Sequence, residues 1–304
     1  MRPSGRTHAD TDGLGNLRVA WLFEGPSLRI SRYACVAPLA GPGEEQRQPG
    51  HVVAFPLKGS FLLRGGCGTR LIDPNCALLL NRGAPYTSSH PAGGGDEGVG
   101  IVVEEAQLLD AVRELDPRGA DAASGPFRRA WVPSAPGTCL RLRGLLQALR
   151  SGTSDAAGIE ERAFGLVGEA LASLSGGRDA APGRDARVRE RVEAARAILN
   201  ARFAEKLRLG ELAAALGTSP FHLCRAFRRE TGLPIHRYLN RLRLRAALEG
   251  VEDGRPDLAG VALRAGFSSH SHFSAAFRRE FGVAPRELRR AVSKILTARS
   301  APGA

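Results

Sequence analysis

The chain has 304 residues, a formal charge of +12 and an apolar fraction of 43%. That length suggests two domains, and that apolar fraction supplies ordinary packed cores. Nothing nears the ~20 uninterrupted apolar residues of a membrane span. The polar N-terminus MRPSGRTHADTDGLGN lacks the apolar centre of a signal peptide, so a cytoplasmic protein with no membrane partner is expected.

Residues 1–16 read as a disordered tail. From Leu17 to about Val103 short apolar runs alternate with turn residues. HVVAFPLKGSFLLR (51–64), RLIDPNCALLLN (70–81) and GVGIVVEE (98–105) predict strands, and PLKG, DPN and NRGAP are turn chemistry. Closely spaced short strands predict a small sandwich or barrel. Helices follow over 107–115, 140–151 and 159–174. Leu142, Leu145, Leu146 and Leu149 share one face, as do Phe164, Val167, Leu171 and Leu174. Those stripes pack on the chain's own strands or form a dimer seam, and spacing does not choose between the two.

SGGRDAAPGRDA (175–186) has nothing to bury and reads as a linker. The expected organisation is a tail (1–16), a strand-rich domain with helices (17–175), a linker (176–186) and an all-α domain (187–299). Residues 187–299 hold 23 Lys and Arg against 11 Asp and Glu, so the whole positive excess lies there. Such asymmetry points to a polyanion as the partner of that part.

The all-α part is duplicated. LGELAAALGTSPFHLCRAFRRETGLP (209–234) and LAGVALRAGFSSHSHFSAAFRREFGVAP (258–285) match, with one extra residue in the second copy. Each copy has the grammar of a helix-turn-helix, over about 209–232 and 258–282. A first helix stops at Gly217 or Gly266. Ser219 or Ser269 caps a second helix, which ends at Gly232 or Gly282. On a helical wheel Leu223, Ala226 and Phe227 face inward, against Phe221, Cys224, Arg225 and Arg228 outward. In the second copy Phe273, Ala276 and Phe277 face inward, against Ser271, Ser274, Ala275 and Arg278. Glu230 and Glu280 fall near the inward side and are expected to be structural. PIHRYLNRLRLRAALEG (234–250) predicts a connecting helix of about 22 Å, long enough to hold two helices near the ~34 Å repeat of B-DNA.

Residues 187–290 resemble the DNA-binding domain of the AraC/XylS family of bacterial transcription regulators. The resemblance rests on LAAALGTSPFHLCRAFRRETGLP, RYLNRLRLRAAL and VALRAGFSSHSHFSAAFRREFGVAPREL. It implies two helix-turn-helix units bound to promoter DNA, and activation with RNA polymerase as a further partner. The N-terminal part is similar to the cupin-type sensor domain of such regulators, on its short strands and the ALLLNRGAPY turn (77–86). The fold class that follows is α+β and multidomain: a cupin-like β-barrel or sandwich with a helical dimerisation segment, then an all-α tandem helix-turn-helix domain.

Carried over by position, the base-reading residues are Phe221, Cys224 and Arg225 in the first unit, and His270, Ser271, His272 and Ala275 in the second. Arg225 is the candidate for guanine. Phe221 either meets a thymine methyl or is a partly buried staple. Ser219, Ser269, Ser274, Arg228, Arg229, Arg278 and Arg279 complete the expected interface, with the arginines on phosphates. Ala275 and Cys224 stand where longer polar side chains are usual, so the first unit is expected to select sequence and the second to anchor. A small-molecule effector would enter the strand-rich half, with His51, Arg82, Tyr86 and His90 as candidate contacts, and the protein would act as a homodimer.

No catalytic role is expected. Cys35, Cys67, Cys76, Cys139 and Cys224 form no C-x-x-C pair and no disulfide framework. His51 and His90 stand alone in sequence, so no metal or other cofactor is expected, which argues against an oxygenase or an alkyl-accepting thiol. A strand-rich half that binds a protein partner instead of an effector stays open.

Overall fold

A computed structural model describes residues 17–35, 41–66, 68–90, 93–115, 125–175, 186–253 and 257–297. The tail 1–16, most of the linker and Cys67 lie outside the described residues. The chain divides into two compact units, Met1–Pro182 and Gly183–Ala304.

The first unit mixes strands and helices. Its strands are β1 (Leu17–Glu24), β2 (Leu28–Cys35), β3 (Val52–Lys58), β4 (Phe61–Gly65), β5 (Gly68–Ile72), β6 (Cys76–Leu80), β7 (Tyr86–Ser89), β8 (Glu97–Val103) and β9 (Trp131–Pro133). They form a six-stranded sheet in the order β1-β2-β8-β3-β6-β9 and a three-stranded sheet in the order β5-β4-β7. The large sheet is open, with β1 and β9 at its edges, so of the expected barrel or sandwich the closed barrel is not formed among the described residues.

Three helices belong to this unit: α1 (Glu105–Leu115), α2 (Pro136–Ser151) and α3 (Ala156–Ser175). The large sheet is covered on both faces. Val53, Phe55, Ala77, Leu79, Val99 and Ile101 join one core with all three helices. Their strand neighbours Ala54, Cys76 and Leu78 join a second core with Phe61, Leu63, Ile72 and Tyr86 of the small sheet. Alternate residues of a strand point to opposite faces, so a strand buried twice reads as an unbroken apolar run, as CALLL does.

Both helical stripes are consumed here. Leu142, Leu145, Leu146, Val167, Leu171 and Leu174 are buried in the first core, and Leu149 and Phe164 pack against it. The choice between own-strand packing and a dimer seam therefore falls to own-strand packing for that face. The DPN turn closes as expected, with the Asp73 carboxylate accepting from the Asn75 N–H at 2.8 Å.

The second unit is all-α. Its helices are α4 (Ala186–Ala201), α5 (Leu209–Ala215), α6 (Pro220–Thr231), α7 (Ile235–Glu252), α8 (Leu258–Arg264), α9 (His270–Phe281) and α10 (Pro285–Thr297). The connecting helix α7 belongs to both halves. Tyr238, Leu239 and Leu242 bury in the first core beside Leu223 and Phe227, and the Phe227 and Tyr238 rings stand 5.2 Å apart, edge to face. Just over two turns beyond Leu242, Gly250 sits against Val261 of α8, whose methyl is 3.1 Å from where a Cβ would be. A strut buried in two cores cannot swing without breaking one of them. Among the described residues no helix is long and apolar enough to cross a membrane.

Candidate nucleic-acid interface

Each recognition helix is built the same way. Ser219 precedes α6, and its hydroxyl accepts from the His222 N–H at 3.3 Å; Pro220 occupies the first turn, where its missing N–H leaves no donor unpaired. Ser269 does the same for α9, accepting from the His272 N–H at 3.1 Å. Gly217, Gly266, Gly232 and Gly282 all take positive φ, from 59° to 84°, so all four helix stops read from the sequence are present. The tight spot is Gly266: a Cβ there would lie 2.8 Å from the backbone of Ala204, in the connection after α4. Only glycine lets the second turn come this close to the first three-helix group.

Leu223, Phe227, Phe273 and Phe277 are fully buried, as is Ala276 at 1%. Ala226 packs at the edge of its core. In the second copy Phe267, Phe273, Phe277 and Phe281 stack edge to face in series at 5.3, 5.5 and 4.7 Å. These ladders fix the rotation of α6 and α9, and with it the set of side chains turned outward.

The outward set matches the wheel. Arg225, Arg228, Arg229, Arg278 and Arg279 are exposed, as are Ser271, His272 and Ala275; Cys224, His270 and Ser274 are half-buried. Phe221 is 66% exposed, more than a partly buried staple calls for. The Arg225 guanidinium lies 5.6 Å from its ring centre. A cation held over an aromatic face loses less freedom on meeting a base edge. His270 Nε2 and Ser274 Oγ approach to 3.4 Å, and the His272 ring leans on Phe267 at 5.4 Å, so two candidate contacts of α9 are already held. A groove beside α6 is lined by Arg191, Thr218, His222, Arg225, Arg228 and Arg229.

Glu230 and Glu280 each face an arginine from an earlier helix, and Glu230 also accepts from its neighbour Arg229 at 3.2 Å. Arg241 of α7 meets Glu280 at 2.6 Å, with both side chains near 11–12% exposure. Arg189 of α4 reaches Glu230 at 4.0 Å. Burial pulls the Arg241 guanidinium below its ordinary value, while Glu280 raises it and Arg245 and Arg237 lower it. So α4 stands to α6 as α7 stands to α9, with a looser ion pair in the first copy, and the repeat is three helices long. Aligned on those arginines, RERVEAA (189–195) and RLRLRAA (241–247) also share Arg191 with Arg243 and a pair of alanines, a match too short to stand out as a third repeated helix.

Other arginines of this unit hold helix ends. Arg243 donates to the carbonyls of Phe203 and Glu205 at 2.7 and 2.8 Å. Arg191 donates to the Leu216 carbonyl at 3.1 Å. Buried Arg196 donates to the Tyr238 hydroxyl at 2.9 Å and to Glu193 at 2.8 Å. Part of the positive charge is therefore internal.

Residues 212–291 match the helix-turn-helix domain family. HTH-type transcriptional activator RhaS of Klebsiella pneumoniae (strain 342) is 38% identical over 94 residues, which are 31% of this chain and 34% of that protein. RhaS of Escherichia coli (strain SE11) is 39% identical over 87 residues, 29% and 31% of the two chains. The C-terminal unit is an AraC/XylS-type helix-turn-helix domain. A solved structure of a transcriptional regulator described as containing an AraC-type DNA-binding domain, from Chromobacterium violaceum, is 29% identical, covers 38% of this chain and 96% of that one, and has a TM-score of 0.32. The chain spans about a third of the length of the curated relatives it matches.

In the first unit the four effector candidates do not converge. His51 is buried on the helix side, edge-on to Phe127 at 5.8 Å. Its Nδ1 accepts from the Arg82 N–H at 3.2 Å, and the Arg82 guanidinium meets Glu105 at 2.8 Å. Burial lowers the His51 pKa, against the opposing pull of Glu105. Tyr86 belongs to the core between the sheets; its hydroxyl accepts from Gln48 at 2.6 Å, and burial raises its pKa. His90, near Phe61 at 6.1 Å, joins that side and not His51. It does not stand alone in space: Asp96 Oδ1 lies 2.5 Å from its Nε2, and Cys35 completes a group of three donors. The six-residue spacing of His90 and Asp96 was readable, but Cys35, 55 positions before His90, reaches them only through the fold.

Proposed function

We propose that this chain is a sequence-specific DNA-binding transcriptional activator that lays α6 and α9 into successive major grooves of promoter DNA. The observation that carries this reading is the duplicated recognition helix. Each copy has a serine cap, a buried phenylalanine, an exposed pair of arginines and a glutamate anchor, and both hang on one strut. The RhaS relatives, named as transcriptional activators, support activation and contact with RNA polymerase.

Within this reading Arg225, steadied by Phe221, reads a guanine through its two acceptors. Cys224, His270, Ser271 and Ser274 meet base edges or sugars at close range. Ser219, Ser269, Arg228, Arg229, Arg278 and Arg279 position the domain on phosphates. The protein works where the chromosome is, in the cytoplasm, and as a homodimer whose contact uses surfaces other than the buried leucine stripes.

The N-terminal unit, cupin-like in its strand-rich design, serves as the sensor half, with a small-molecule effector held among its apolar walls. The alternative is a docking module for a protein. A thermal-shift screen separates them, since an effector raises stability by mass action and silence across a broad metabolite set favours the docking module.

The interface is tested by binding to operator variants. Arg225→Ala should relax preference at one base pair, by about 1–3 kcal/mol. Arg278→Ala should weaken every sequence alike. Identical behaviour of the two variants would show that the two helices do not divide the work.

A further inference from the structure

We propose that Cys35, His90 and Asp96 form a binding site for one zinc-class divalent cation in the N-terminal unit. Their donor atoms lie within 4.8 Å of one another. Tetrahedral zinc with nitrogen, oxygen and sulfur ligands sets its donors roughly 3.3–3.8 Å apart, so side-chain adjustments of about an ångström are needed, His90 and Asp96 parting from their 2.5 Å contact to admit the ion. The set is one sulfur, one imidazole and one carboxylate. Magnesium and calcium take oxygen donors, whereas zinc accepts all three of these types. Three protein ligands leave a fourth position for water or a further ligand.

The backbone is arranged to keep these donors together. Cys35 ends β2, His90 follows β7 and Asp96 precedes β8. The Cys35 N–H donates to the Asp96 carbonyl at 2.8 Å, which puts two ligands side by side. Gly95 packs on the Cys35 carbonyl so closely that an added Cβ would collide with it. His90 and Asp96 are 4% and 5% exposed. His90 Nδ1 is buried with no hydrogen-bond partner among the described residues, so among them only Asp96 hydrogen-bonds the ring, through Nε2. The cation would tie β2 and β8 of the large sheet to the end of β7 in the small sheet. Binding takes Cys35 as the thiolate and so displaces its proton.

The inference does not depend on the regulator reading and is tested without DNA. The purified full chain, stripped with a chelator, is titrated with Co2+. A thiolate-to-cobalt charge-transfer band in the near ultraviolet should saturate at one equivalent, and added Zn2+ should bleach it. Cys35→Ser should abolish the band, His90→Ala and Asp96→Asn should weaken binding at least tenfold, and Cys139→Ser and Cys224→Ser should leave it intact. Should Cys35→Ser fail to fold, mass spectrometry of the alkylated native chain decides, because Zn2+ should protect Cys35 from iodoacetamide. Absence of the band in the native chain, its persistence in Cys35→Ser, or alkylation of Cys35 indifferent to Zn2+ overturns the site.

Discussion

Two left-handed glycines that end helices of the C-terminal unit have different surroundings, and the difference is measurable. Gly232 has open space where a Cβ would go, whereas Gly266 abuts the Ala204 backbone. Gly232→Ala meets only the cost of a left-handed alanine, about 1 kcal/mol. Gly266→Ala meets the same cost and a collision with backbone that cannot yield like a side chain, so denaturant titration should show it as the more damaging change by a clear margin. Phe227→Ala and Phe277→Ala, both fully buried, should each cost about 3–5 kcal/mol. His51 supplies a pH prediction. Burial holds its folded pKa below the unfolded value, so from about pH 6.5 downward the unfolded chain takes up a proton that the folded chain resists. Stability should fall as pH falls through that window, and His51→Gln should flatten the fall. Trp21 and Trp131, the chain's two tryptophans, sit on β1 and β9 and report on that unit by fluorescence.

At the scale of elements, the buried Arg241–Glu280 pair should behave as a clasp between the strut and α9. Removing one partner leaves a buried charge without its mate, which costs about 3–5 kcal/mol. Glu280→Leu should therefore be severe, and Glu280→Leu with Arg241→Leu together should recover much of the loss in a double-mutant cycle. Elements whose signals are local were legible in the sequence: serine caps, glycine stops, the apolar period of α6 and α9, and strands bounded by turn residues. The wheel placed Arg225 and Ala275 outside and Phe227 inside, because a 12-residue helix with strong apolar contrast has one sensible rotation. What was not legible depended on partners far away in the chain. The leucine stripes of α2 and α3 suit a dimer seam and a core equally until the sheet beneath them is known. The strands fit a barrel and an open two-sheet stack alike, since closure depends on pairing and not on alternation. Arg189 and Arg241 disclose the third helix of each repeat only through the carboxylates they reach. Cys35 joins His90 and Asp96 only because β2 pairs with β8.

For the whole molecule, charge and architecture point the same way. The neutral strand-rich unit and the strongly basic all-α unit are separate compact bodies, and the strut shared by two cores fixes the spacing of α6 and α9. Exposed Arg228, Arg229, Arg278 and Arg279 are the candidate phosphate contacts, and four such contacts give a slope of log affinity against log salt of about −3 to −4. Each arginine-to-alanine change among them should lower that slope by about 1. The most direct test is the binding of the full-length protein to labelled duplex DNA, both its own promoter and random sequence, across a series of salt concentrations. The account predicts tight binding to the promoter, weaker binding to random duplex, and a steep log-log loss of both as salt rises. Binding that is absent from every duplex, or that is indifferent to salt, contradicts it.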